Sequence, residues 1–74
     1  MGMSPFAEFL RHLRNQRQLR QRDLACRLGV NQSYISALEL GIKGPPPSEF
    51  AQQLLVRLNL TEQEFATLVD ALVS

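Results

Sequence analysis

The 74-residue sequence has no Trp, a single Cys, a single His and a single Tyr, and each scarcity removes a class of protein. One thiol, Cys26, forms no internal disulfide, and without a His/Cys cluster there is no zinc framework. The lone His12 has no Cys or carboxylate at ligand spacing, so no metal site is expected. Neither residue has the partners of a catalytic triad or dyad, so no catalytic residue, cofactor or enzymatic role is expected. Cys26 lies among arginines, which leaves two readings: an ordinary packing or semi-exposed thiol, or a redox switch with a lowered pKa. The opening MGMSPF has no basic stretch followed by a long apolar run, so neither a signal peptide nor a membrane span is read there. A reducing, cytoplasmic setting is the expectation. The doubled Met marks Met1 and Gly2 as an added remnant, and residues 1–3 are expected to be disordered. Asn31-Gln32-Ser33 and Asn59-Leu60-Thr61 fit the glycosylation triplet but read better as helix starts.

What is present is an apolar fraction of 45% with only four Gly and four Pro, a composition that suits one small globule spanning 1–74. The charge is uneven. Up to Gly44, seven basic residues (Arg11, Arg14, Arg17, Arg20, Arg22, Arg27, Lys43) face Glu8, Asp23 and Glu39, a balance of +4. From Pro45 onward only Arg57 opposes Glu49, Glu62, Glu64 and Asp70, a balance of −3. Such polarity fits a basic face turned to a polyanion, or an arginine-rich solvated helix surface.

Hydrophobic spacing predicts five helices and no strand. Ser4 before Pro5 is a helix start, and Phe6, Phe9, Leu10 and Leu13 give a first helix to Asn15 or Gln16. Leu24, Ala25 and Leu28 give a second from Gln21, closed by Gly29. Asn31 is a favoured cap for a third over residues 31–40, with Ile35 and Leu38 inward and Gly41 as its stop. The link between these two is too short for antiparallel packing along their full length. GIKGPPP is the one strong break. A fourth helix from Pro47 or Ser48 buries Phe50, Leu54 and Leu58, with Ala51 and Leu55 beside them. Thr61 and Glu64 form a capping box for a fifth, over 61–74, on which Phe65, Leu68, Val69 and Leu72 continue the period.

In this register LRQRDLACRLGVNQSYISALELGIKGPP resembles the helix-turn-helix of Cro and lambda-repressor-type (XRE-like) transcriptional regulators. The shared pattern is Gln21 opening the second helix, the small Ala25, the turn at Gly29, the buried Ile35, and Glu39 with Gly41. The match runs from about Leu13 to Pro47. It implies a compact, all-α, five-helix lambda-repressor-like fold in which the second and third helices form the DNA-reading unit.

The resemblance also implies site residues. Gln32, Ser33, Ser36 and Ala37 would face base edges in the major groove of double-stranded DNA. Gln pairs there with adenine, and a small apolar side chain touches the thymine methyl. Gln21 would bond a phosphate, flanked by Arg20 and Arg22, with Lys43 and the backbone of Gly44 on the next. Tyr34 has two readings, a phosphate or backbone contact and a partly buried packing residue. By the family pattern, Arg14 pairs with Glu39 and locks the first helix to the third.

The last helix is more apolar than one small core requires, so Phe65, Leu68, Val69, Leu72 and Val73 are candidate dimerisation residues. A dimer would place two recognition helices about 34 Å apart on a near-palindromic operator. The leading expectation is therefore a sequence-specific regulator, a repressor, of bacterial or phage type. With no room for an effector pocket, it would respond through concentration, dimerisation or a partner such as a toxin or co-regulator. The alternative is an antitoxin-like or adaptor module that uses its C-terminal apolar surface on a protein. The family pattern is broken at Leu40, where many relatives carry a polar or charged residue, and at the triple proline.

Overall fold

The structure is a computed structural model that describes residues 4–44 and 46–73, so the expectation for residues 1–3 and the first proline of the triple lie outside it. Five helices follow one another: α1 (Pro5–Gln16), α2 (Gln21–Leu28), α3 (Gln32–Glu39), α4 (Ser48–Arg57) and α5 (Glu62–Val73). Among the described residues there is no strand.

Local chemistry accounts for the starts. The Ser4 hydroxyl accepts the Ala7 N–H at 3.1 Å and Pro5 occupies the first turn, where its missing N–H is not needed. The box on α5 is complete: Thr61 Oγ1 accepts from the Glu64 N–H at 3.1 Å, and Glu64 Oε1 accepts from the Thr61 N–H at 3.0 Å. Asn31 sits in the cap position of α3 without a side-chain cap bond. α3 is one residue shorter at each end than the expected 31–40, with Asn31 and Leu40 as its flanks.

The ends share one device. After α1, α2, α3 and α4 the chain turns through a left-handed residue, at Gln18, Gly29, Gly41 and Asn59 respectively. In each case the next N–H reaches back five residues: Leu19 to Arg14, Val30 to Ala25, Ile42 to Ala37 and Leu60 to Leu55, at 3.0–3.1 Å. Those bonds satisfy carbonyls the helices would otherwise leave open. Two of the four turns use Gly, which adopts φ 70 and φ 74 freely; Gln18 and Asn59 do so against the preference of residues with a Cβ.

The core gathers Leu10 and Leu13 of α1, Leu24 of α2, Ile35 and Leu38 of α3, Leu54 of α4 and Leu68 of α5, all sealed from solvent. Phe6 and Phe50 meet edge-to-face with centroids 6.3 Å apart, which fixes the start of α1 against α4. α1 packs on α3 and on α5, and α2 packs on α3 and α4. On α5 the outcome departs from the periodicity. Of its apolar residues only Leu68 is fully buried, while Phe65, Val69 and Val73 are 39%, 41% and 78% exposed and Leu72 is half-buried. Leu68 therefore belongs to the core and is corrected from the candidate dimerisation set, because a side chain with no exposed area touches no second molecule.

Candidate nucleic-acid interface

α2 and α3 are joined by Gly29, Val30 and Asn31. The hinge has no side chain in its way: Gly29 closes α2 at φ 70, and Val30 turns back half-buried onto the core. Ala25 is 3% exposed beneath the crossing, where a longer side chain would hold the helices apart. Ile35 and Leu38 are sealed at 0% and 1%, and their burial sets the rotation of α3. At 100° per residue, Ser33, Ser36, Ala37 and Leu40 then fall on the opposite side from Ile35, and Gln32 flanks them. Gln32 and Ser33 are exposed; Ser36 and Ala37 are half-buried. No charged side chain lies in this sector, which presents the Gln32 amide and the Ser33 and Ser36 hydroxyls beside the apolar Ala37 and Leu40.

Beneath it lies a buried ion pair. The Arg14 Nε donates to Glu39 Oε2 at 2.7 Å and Nη2 donates to Oε1 at 3.0 Å, a two-pronged bond joining α1 to the last residue of α3. The side chains are 16% and 3% exposed. The remaining prong, Nη1, donates to the Leu19 carbonyl at 3.0 Å, so the same guanidinium holds the α1–α2 link. Its bonds to Glu39 push the Arg14 pKa up and keep it charged. Gln21 completes the arrangement: its Nε2 donates to Glu39 Oε1 at 3.1 Å from the first residue of α2.

The other sequence candidates lie at the start of α2, in the α3–α4 link and on α3 itself. Arg20 and Arg22 are exposed at the start of α2, where the Arg20 N–H is capped by Asp23 Oδ2 at 3.1 Å. Lys43 and Gly44 are exposed in the α3–α4 link. Tyr34 rests edge-to-face on Phe50, centroids 5.6 Å apart, so its ring takes part in packing while it stays half-buried. Cys26 and His12 are exposed, and no group of His, Cys, Asp and Glu among the described residues is arranged to hold a metal. None of the described helices is long and apolar enough to cross a membrane.

The family model described as a helix-turn-helix domain matches residues 5–68. The chain belongs to the helix-turn-helix domain family. No curated protein and no solved structure matches it. Membership supports DNA as the partner, in keeping with the Cro and lambda-repressor-type resemblance, and typical members of the family are not enzymes.

Two features of this helix-turn-helix protein have no counterpart in the sequence reading. Arg17, one turn after Arg14, donates to both oxygens of Glu64 at 2.9 and 2.8 Å and to the Leu58 carbonyl at 3.2 Å, tying the end of α1 to the start of α5. Glu64 thus serves as cap and ion-pair partner together, and the Arg17 guanidinium, helped by the Thr61 N–H, pulls its pKa down to about 2. The bond from Gln21 to Glu39 is the second. Leu40, where the sequence already breaks the family pattern, and Ile42 are 61% and 74% exposed and carry apolar surface past the end of α3. A repeated Arg at three-residue spacing was the available signal for the first; the second depends on a contact distant in sequence.

Proposed function

We propose that this protein is a sequence-specific transcriptional regulator, a repressor of the Cro and lambda-repressor type, that occupies a near-palindromic operator as a homodimer in the cytoplasm of a bacterial or phage-infected cell. α3 enters the major groove, Gln32, Ser33, Ser36 and Ala37 read bases, and Gln21, Arg20, Arg22, Lys43 and the Gly44 backbone hold phosphates. The observation that carries the reading is the uncharged polar sector of α3, aimed outward by the sealed Ile35 and Leu38 and bordered by exposed Arg20, Arg22 and Lys43. Repression follows from occupancy: a protein seated on the operator denies the same DNA to others.

Selection from a random duplex pool tests it. The expected product is a motif with two-fold symmetry and half-sites 34–36 Å apart, whose binding weakens steeply with salt. Gln32→Ala should cost about 1–3 kcal/mol at one base position, whereas Arg22→Ala should weaken all sequences alike and flatten the salt dependence. A pool that yields no motif refutes the proposal.

The exposed Phe65, Val69 and Val73 support a second reading, an antitoxin-like or adaptor role in which this face covers a protein partner. It predicts a salt-insensitive protein complex and no enriched DNA motif.

A further inference from the structure

We infer that Glu39, beyond bracing α1 against α3, is a positioning residue for DNA binding: it fixes which end of the Gln21 side-chain amide faces a DNA phosphate. The inference rests on the proposed DNA-binding reading and deepens it at one residue.

Ionised Glu39 only accepts hydrogen bonds, so the Gln21 group turned towards it must be the donor, Nε2, and never the carbonyl. The 3.1 Å contact from Nε2 to Oε1 is that arrangement. An amide is planar and its NH2 carries two hydrogens. With one directed inward to Glu39, the other is left at a fixed angle for an acceptor outside. Gln21 is half-buried at the first position of α2, so part of the side chain remains open to solvent.

Were the amide free to rotate by half a turn, its oxygen would meet the phosphate half the time, and two acceptors facing each other repel. Glu39 removes that choice. Arg14 is what makes this tolerable, because a bare buried carboxylate beside a phosphate would oppose the DNA. The guanidinium holds both Glu39 oxygens, at 2.7 and 3.0 Å, and cancels the charge. Three elements thus meet on one carboxylate: α1 through Arg14, α2 through Gln21, and α3 through Glu39 itself.

A double-mutant cycle on duplex binding separates positioning from bracing. Gln21→Ala should weaken binding to the selected duplex about tenfold, as expected for a hydrogen bond to a charged group. Glu39→Gln substitutes a side chain that presents either donor or acceptor to Gln21, so the amide is no longer fixed. If Glu39 positions Gln21, adding Gln21→Ala to Glu39→Gln costs about fivefold or less, because an amide free to take two orientations halves the tenfold loss. Losses that multiply, tenfold again in the Glu39→Gln background, overturn the inference and leave only a structural brace. The free protein gives a readout independent of DNA and of variant stability: in NMR of the wild type, one Gln21 side-chain amide proton should exchange with water more slowly than those of exposed Gln52. Equal exchange for both residues overturns it as well. A folded wild type that binds no duplex removes the DNA-binding reading and this inference with it, whereas tight binding with multiplying losses removes the inference alone.

Discussion

Replacing Glu64 by Gln removes the charge that Arg17 grips while retaining an acceptor for the Thr61 N–H, so the substitution isolates the ion pair that fastens α5. Arg17 holds Glu64 with bonds of 2.9 and 2.8 Å, and the Glu64 pKa falls from 4.5 to about 2. A lowered carboxylate pKa contributes stability that is present above the ordinary value and is lost as pH falls from 4.5 towards 2. At about 1.4 kcal/mol per pH unit the gap sets a ceiling of about 3 kcal/mol. The side chains are 27% and 21% exposed, and solvent screening brings the expected contribution down to about 1 kcal/mol. In thermal melts at pH 7, Glu64→Gln should lower Tm by about 5 °C for a domain of this length. At pH 2.5 the two proteins should converge, because the wild type is then losing the same charge. A gap of equal size at both pH values, or none at pH 7, would refute the assignment.

Leu68→Ala should cost about 3 kcal/mol in urea unfolding, because Leu68 is the one fully sealed side chain of α5. Val73→Ser, at 78% exposure, should leave stability within about 0.5 kcal/mol. Gly29→Ala should cost about 1 kcal/mol from the left-handed backbone alone, since the added methyl meets no atom within 4 Å; a loss above about 3 kcal/mol would mean that a contact has been overlooked. Phe65→Asp should leave the monomer folded and abolish self-association in sedimentation if α5 joins two copies. An unchanged sedimentation profile for a dimeric wild type would exclude Phe65 from the interface.

Much of the fold was legible because its signals are local. Ser4-Pro5, Thr61 with Glu64, Gly29 and Gly41 each announce a helix end within four residues of the end itself, and the apolar period carries the rest. The left-handed Gln18 and Asn59 were not legible, since neither residue type demands that conformation as Gly does. The start of α2 was placed by its apolar pattern, not by its cap: Arg20 offers no side-chain acceptor there. Periodicity misled on α5 for a physical reason. It identifies a stripe that prefers to leave water but not whether a partner exists, and here the core seals Leu68, half-covers Leu72 and leaves Phe65, Val69 and Val73 exposed. The outward sector of α3 followed from Ile35 and Leu38, which are near in sequence. The bonds linking Gln21 to Glu39 and Arg17 to Glu64 span 18 and 47 positions, and no local pattern encodes them.

Arg14 and Arg17 stand three residues apart at the end of α1, and their bonds lead in opposite directions, to Glu39 on α3 and to Glu64 on α5. The last turn of α1 is therefore a crossbar between α3, the helix proposed to enter the groove, and the terminal one. Were two copies joined through α5, the separation of their reading helices would be set by this bar and not by a flexible tether. An operator with one extra central base pair displaces its half-sites by about 3.4 Å and turns them by about 35°. That misfit would have to be absorbed by bending and twisting of the DNA, so spacer length, as much as base sequence, would decide which operators are held.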